Sequence, residues 1–216
     1  MSETNNNQPN TVTLNKEEAC QRVAKFYHSG MNCDKAVFEV LKDVLGLSKG
    51  RWDFTDFYSD KPDDTEQFLC KVVAAGAISI YLDIISKREC LQGETEFVEV
   101  EPVERVNALV TAMLNETADG KNEKLATFDP FDHDDYLKKT DASENMRKEY
   151  KERASTFFKN FHGAFNCQDC VDILGFDPFS YELYDEETQN EIESGKWMTK
   201  CVECMQHIVR SLHTDP

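Results

Sequence analysis

The sequence predicts an all-α fold, a single-domain helical bundle built around one central apolar helix. Several segments place apolar residues at three- and four-residue spacing, and most are bounded by a capping residue or a glycine. Strand-like alternation is rare along the chain. One segment, VVAAGAISI at 72–80, is apolar on nearly every side, which is typical of the most buried helix of a bundle.

The first two helices have recognisable capping residues. Asn15, with Glu18 three residues later, forms a capping pair that opens the first helix. Asn32 is expected to cap the second helix, which places Cys33 in its first turn. The positive end of the helix dipole favours a thiolate at that position.

The central helix is expected to begin near Thr65 and to contain Gly76, where close packing of another helix is preferred over close approach by a cofactor. A later helix should run from Ser143 to Gly163. A short helix closed by Gly175 and a last helix from about Trp197 follow. The buried face of the later helix is predicted to consist of Met146, Tyr150, Ala154, Phe157, Phe158 and Phe161.

Two segments are predicted to lack fixed structure. Residues 1–14 form a disordered tail before a helical domain at 15–216, and the acidic, aperiodic residues 119–143 form a mobile loop within that domain. Carboxylates with His133 would suit a hard cation. The loop lacks the alternating ligands and turn glycine of a calcium site, so we favour a solvated loop.

Composition limits the classes of partner. The formal net charge is −17, from 41 acidic and 24 basic residues, which argues against nucleic-acid binding because phosphate contacts need a basic surface. The charge also disfavours an anionic membrane surface, and no apolar run approaches the roughly 18 residues that span a bilayer. The N-terminus lacks the features of a secretory signal, so we expect a cytoplasmic protein.

Two CxxC motifs, Cys167–Cys170 and Cys201–Cys204, stand out among the eight cysteines. Helical residues three apart lie on one face with Cβ atoms about 5–6 Å apart, so each pair can chelate a metal or close a disulfide. Together they supply enough soft ligands for zinc or an iron–sulfur cluster. The intervening 30 residues exceed the usual zinc spacing of about 15–20, so the pattern permits a metal site without identifying one. For Cys20, Cys90, His162 and His207 a packing or surface role is preferred.

Three segments occur in a suggestive order: FYHSGMNCDKAVF, CVDILGFD and CVECMQHIVRSL. They resemble the first motif, the third motif and the closing cysteine helix of the C_GCAxxG_C_C family of redox-active proteins. The agreement covers residues 16–87 and 150–212. The resemblance implies an α-helical protein with four signature cysteines and a redox or metal function. The resemblance assigns Cys33, Cys170 and Cys204 as the catalytic candidates. Cys201 is the alternative to Cys204 in the last family position.

The second family position is where the chain departs from the pattern. Cys70 lies six residues before Gly76 instead of five, and the family's Gly-Ala and upstream glycines are absent. One residue is a rotation of about 100° on a helix, so Cys70 is expected to face away unless the helix start shifts. Cys167 and Cys201 could replace the displaced ligand. The candidate metal ligands are Cys33, Cys70, Cys167, Cys170, Cys201 and Cys204.

Three functions fit these features. One is a cysteine-ligated metal or iron–sulfur centre that passes electrons to an unidentified redox partner. Another is a thiol–disulfide oxidoreductase that cycles one CxxC dithiol, although the βαβ context of thioredoxin-like proteins is absent. The third is a non-catalytic all-α binding or scaffold protein that has lost the family's site. Motifs for a hydrolase, kinase or dehydrogenase are not found in the sequence.

Overall fold

The structure, a computed structural model, describes residues 14–47, 70–90, 109, 128–132, 141–166, 170–176 and 184–213. These residues form seven α-helices and no strand, which confirms the all-α class. None of the seven combines the length and apolar content that crossing a membrane requires. The predicted tail, apart from Leu14, and most of the predicted loop at 119–143 lie outside the described residues, so their mobility stays a prediction.

The helices, in chain order, are α1 (Lys16–His28), α2 (Cys33–Val44), α3 (Lys71–Cys90), α4 (Asp141–Phe165), α5 (Cys170–Leu174), α6 (Glu186–Glu193) and α7 (Lys196–Leu212).

Helix α3 lies at the centre of the bundle, as predicted. It contacts α2, α4 and α7, and every residue from 72 to 85 is buried. Gly76 is a point of close packing, since a Cβ built there would lie 2.6 Å from Phe157 Cζ and 3.1 Å from Ile208 Cγ2. The missing side chain therefore lets α4 and α7 pack closely against α3.

The caps of the first two helices follow the sequence. In α1 the Asn15 side chain accepts a hydrogen bond from the Glu18 N–H at 2.9 Å. The Glu18 carboxylate accepts a hydrogen bond from the Asn15 N–H at 3.2 Å, and the two bonds together form a capping box. Asn32 occupies the N-cap position of α2 as expected, but its side chain makes no capping hydrogen bond to the helix. An Arg22–Asp43 ion pair of 2.7 Å joins the two helices.

Helix α4 has the predicted buried face but longer bounds. All six predicted apolar residues are buried. The helix begins at Asp141, two residues before Ser143, because an aspartate is favourable in a first turn. It passes through Gly163, since one glycine inside a helix costs only about 1 kcal/mol. The helix ends at Phe165, and Asn166 turns the chain with a φ of 58°.

A buried turn that begins at Phe128 was not predicted. Phe128 and Phe131 are buried although they lie within the acidic segment. The carboxylate of Asp129, itself only 6% exposed, pairs with Arg147 at 2.9 Å and with Lys151 at 3.1 Å on α4. Because basic residues of α4 neutralise this carboxylate, the two aromatic rings can pack against the core.

Candidate functional site

Helix α7 connects the whole bundle. It contacts each of the other six described helices, since it is apolar on one wide face. Two of the predicted site residues, Cys201 and Cys204, lie on α7. Its buried residues are Cys204, Met205, Ile208, Val209 and Leu212.

The second CxxC motif has one cysteine in the core and one at its edge. Cys204 is 1% exposed, whereas Cys201, one turn earlier on α7, is partly exposed and packs against the border of the core. Both are in the reduced form. The two cysteines of this motif therefore differ in their exposure to solvent.

The first CxxC motif is connected to α7 through α5, which begins at Cys170. The Lys200 ammonium donates to the carbonyl oxygens of Ile173 and Leu174 at 3.2 and 3.3 Å. A lysine in this position satisfies carbonyls at the C-terminal end of a helix and is favoured by its dipole. The helix that begins at Cys170 is thereby held against the turn of α7 that contains Cys201.

The C-terminal end of α4 contacts α7 farther along. The rings of Phe161 and Phe165 lie edge-on to the His207 ring, with centroids 6.0 and 5.4 Å away. His207 and Lys200 are about 10 Å apart along the axis of α7, at 1.5 Å per residue. Cys204 lies between them in the sequence of α7. The described residues on either side of the first CxxC motif therefore contact α7 before and after Cys204.

His207 is held by its neighbours on α4. Burial lowers the pKa of His207, a hydrogen bond to the Asn160 backbone carbonyl raises it in part, and the charge of Arg210 lowers it further. Nε2 has no hydrogen-bond partner among the described residues, so Nδ1 is the atom that donates to Asn160. These contacts fit the packing role expected for His207, and His162 lies exposed on α4.

Cys33 and Cys70 border the same core from other helices. Cys33 is the first residue of α2, as predicted, and is partly buried. Cys70 directly precedes α3 and is 6% exposed, and its carbonyl accepts from the Val73 and Ala74 N–H groups at 2.9 and 3.3 Å. Helix α3 begins directly after Cys70, so the helix start is shifted and the expected rotation of Cys70 by about 100° does not apply. The proposed start near Thr65 lies outside the described residues.

Cys20 fills the packing role expected of it. Its thiol is fully buried in α1 and donates to the Gln206 carbonyl of α7 at 3.6 Å, while the Gln206 side chain donates to the Cys20 carbonyl at 3.2 Å. Burial raises the pKa of the Cys20 thiol, with nearby Arg210 acting in the opposite direction. A buried thiol of raised pKa is a poor nucleophile. The side chain of Cys90, the last residue of α3, lies outside the described residues.

The described side chains do not by themselves fit a metal centre. Within the described ranges no three histidine, cysteine or acidic residues form a group that could hold a metal ion. The described side chains include four of the six candidate ligands: Cys33, Cys70, Cys201 and Cys204. The side chains of the other two, Cys167 and Cys170, lie outside the described residues.

No family model, no curated protein and no solved structure matches this chain.

Proposed function

We propose that the protein is a redox-active cysteine protein that cycles the CxxC pair of α7 between dithiol and disulfide. The observation that carries the proposal is the unequal burial of its two cysteines, which lie three residues apart on the helix. Cys201 is partly exposed, and Cys204 is 1% exposed. The partner is a protein that carries an accessible disulfide, and we place the reaction in the cytoplasm, where thiols are kept reduced.

The exchange has two steps. Cys201 loses a proton to water, and its thiolate attacks one sulfur of the partner's disulfide. The partner's S–S bond breaks, a mixed disulfide forms, and the displaced sulfur takes up a proton. Cys204 then loses its proton and attacks the Cys201 sulfur, so the partner leaves as a dithiol after taking up a second proton. Two electrons have passed from α7 to the partner.

The helical spacing of the pair favours a disulfide that is easily reduced. Residues three apart on a helix have Cβ atoms about 5–6 Å apart, whereas a disulfide needs about 3.5–4.5 Å. The turn between Cys201 and Cys204 must tighten when the bond forms. Strained disulfides have more oxidising potentials than structural ones. This strain therefore favours the return step of the cycle, in which two thiols of a second, dithiol-bearing protein reduce the α7 disulfide and leave as a disulfide, so that Cys201 and Cys204 regain their protons.

The proposal is tested with protein purified without oxygen and a fluorescent peptide that contains a disulfide. Cys201→Ser should abolish reduction of the peptide, and Cys204→Ser should trap it as a mixed disulfide on Cys201. Cys20→Ala is the matched control, because that buried thiol lies outside the reaction, and it should reduce the peptide like the wild type. Unchanged reduction by Cys201→Ser would overturn the proposal. Metal analysis and an absorption spectrum of the same protein test the alternative of a zinc or iron–sulfur centre, which would need the side chains of Cys167 and Cys170.

A further inference from the structure

Three aromatic rings lie one turn before Cys201, where α5, α6 and α7 meet. Trp197 of α7, Phe176 after α5 and Tyr184 before α6 are all partly exposed. The Phe176 ring is edge-on to both of the others, with centroids 6.5 Å from Trp197 and 6.3 Å from Tyr184. Residues four apart on a helix share a face, so Trp197 lies on the side of α7 that carries Cys201, about 6 Å away along the axis.

Hydrogen bonds to α6 hold two of these residues in place. The indole N–H of Trp197 donates to the Ile192 carbonyl at 2.8 Å. The side-chain amide of Gln189 donates to the Tyr184 carbonyl at 3.0 Å. The rings of Phe176, Tyr184 and Trp197 therefore form a partly exposed apolar surface of fixed shape, which we call the aromatic surface.

The helix beside the aromatic surface is strongly acidic. Four of the eight residues of α6 are glutamates, and all four are exposed. Asp185, Glu186, Glu187 and Glu191 line an open cleft of about 660 Å³ between α6 and the start of α7, together with Lys196, whose ammonium pairs with Glu191 at 3.2 Å. Such a surface attracts basic partners. It repels a second copy of this chain, whose net charge is −17.

We propose that the aromatic surface and the carboxylates of α6 select the substrate of the α7 dithiol, a basic protein segment with an apolar residue near its disulfide. The inference rests on the proposed function and names its substrate class. An extended chain advances about 3.3 Å per residue, so an apolar side chain two residues from the substrate cysteine reaches Trp197 when that cysteine is at Cys201. Lysine or arginine residues farther along the segment then reach the carboxylates of α6. These contacts place the substrate disulfide at the exposed cysteine of α7.

The test uses reduced full-length protein, purified without oxygen, and synthetic peptides whose single cysteine is joined by a disulfide to a fluorescent thiol. The lysine peptide has phenylalanine two residues from the cysteine and two lysines beyond it. Glutamates replace the lysines in the glutamate peptide, and serine replaces the phenylalanine in the serine peptide. Each is made with these residues before and after the cysteine, and the faster order is compared.

The lysine peptide should be reduced about tenfold faster than the glutamate peptide at low salt, because opposite charges raise association rates. High salt should shrink this difference, since it screens exposed charges. The serine peptide should be reduced about threefold more slowly than the lysine peptide, because it lacks the aromatic contact. Trp197→Ala should reduce the lysine and serine peptides at the same rate and keep the preference for lysine over glutamate. Both comparisons are made within one protein, and the wild-type comparison does not depend on the folding of this variant.

The double variant Glu186→Gln/Glu187→Gln removes two charges from the first turn of α6. It should slow reduction of the lysine peptide about threefold and speed that of the glutamate peptide. Glu17→Gln/Glu18→Gln is the matched control. It removes two charges from the first turn of α1, which starts near the C-terminal end of α7, and glutamine is compatible with the capping box. The control should reduce both peptides like the wild type, and equal effects of the two double variants would contradict the role of α6.

The same peptides separate the inference from the proposed function. If no peptide is reduced and none attaches to Cys201 of the Cys204→Ser variant, the proposed function fails, and the inference fails with it. If all peptides are reduced at equal rates, or the glutamate peptide fastest, the α7 dithiol stands and the inference is overturned. A dimer in sedimentation velocity that Trp197→Ala dissociates would then assign the aromatic surface to a second copy of the chain.

Discussion

Gly76 of α3 packs against the tip of the Phe157 ring of α4, where an added Cβ would be 2.6 Å from Cζ. Because this contact is shorter than any normal van der Waals distance, Gly76→Ala must displace the ring or the helix. We expect a loss of about 1–3 kcal/mol in the free energy of unfolding, as is typical of overpacked cores. Gly163→Ala is the control, since no described residue lies within 4 Å of a Cβ built there. It should stabilise α4 by about 0.5–1 kcal/mol in urea unfolding. Equal effects of the two substitutions would contradict the close packing at α3.

Asp83 is a buried carboxylate in the central helix α3. It is 1% exposed and pairs with Arg153 of α4 at 2.7 Å and with Lys87 at 2.8 Å. Arg153→Met should cost about 2–3 kcal/mol in urea unfolding, less than the usual 3–5 for breaking a buried pair, because Lys87 remains. Adding Asp83→Leu to that variant should restore part of the loss. A double variant less stable than Arg153→Met would show that the carboxylate does not depend on its partner.

Tyr150 has a hydroxyl that is buried in the core of the bundle. The residue is 1% exposed, and its oxygen has no hydrogen-bond partner among the described residues. Burial, with a smaller effect of Asp129, raises the pKa of this phenol. Tyr150→Phe should therefore raise the free energy of unfolding by about 1 kcal/mol, since an unsatisfied buried hydroxyl is removed while the ring contacts stay. The partly exposed Tyr184 provides the control, because Tyr184→Phe should not stabilise the protein. Destabilisation by Tyr150→Phe would reveal a bond to the hydroxyl.

His207 should make stability depend on pH. Burial lowers its pKa in the folded protein below the ordinary value of about 6.5, so the unfolded chain binds more protons as the pH falls through that value. The contribution of the buried, neutral His207 to the free energy of unfolding is complete above about pH 6.5. It is lost progressively as the pH falls from that value to the pKa of His207 in the folded protein. Thermal unfolding from pH 7.5 to 5 should show this loss in the wild type and a smaller one in His207→Gln. The exposed His162 is the control, since His162→Gln should keep the wild-type dependence. Equal slopes for all three proteins would contradict the burial of His207.

The helices themselves could be predicted well from the sequence. The buried face of α4 follows the three- and four-residue spacing over many turns, and all six of its predicted members are buried. The capping box at Asn15 and the close packing at Gly76 depend on local signals, which a sequence displays directly. Helix ends were less certain, because a single glycine such as Gly163 is tolerated inside a helix that packs well elsewhere.

Tertiary contacts between polar groups could not be predicted in the same way. The burial of Phe128 depends on the pairing of Asp129 with Arg147, and the acidic composition around it indicated only a loop. The contact of Lys200 with α5 has no sequence signature, since the acceptors are backbone carbonyls far away in the chain. The spacing of the cysteines suggested thiol chemistry, but the unequal burial of Cys201 and Cys204 depends on how α7 packs in the folded bundle.

We propose that Cys201 and Cys204 form one reversible dithiol. A redox titration of the full-length protein in glutathione buffers, with differential alkylation read by mass spectrometry, tests it most directly. We predict that both cysteines are oxidised together in a two-electron transition. The ratio of disulfide to dithiol should change tenfold for about every 30 mV of potential, with a midpoint above about −300 mV. A pair that stays reduced in every buffer, or two cysteines that take up glutathione independently, would contradict the account.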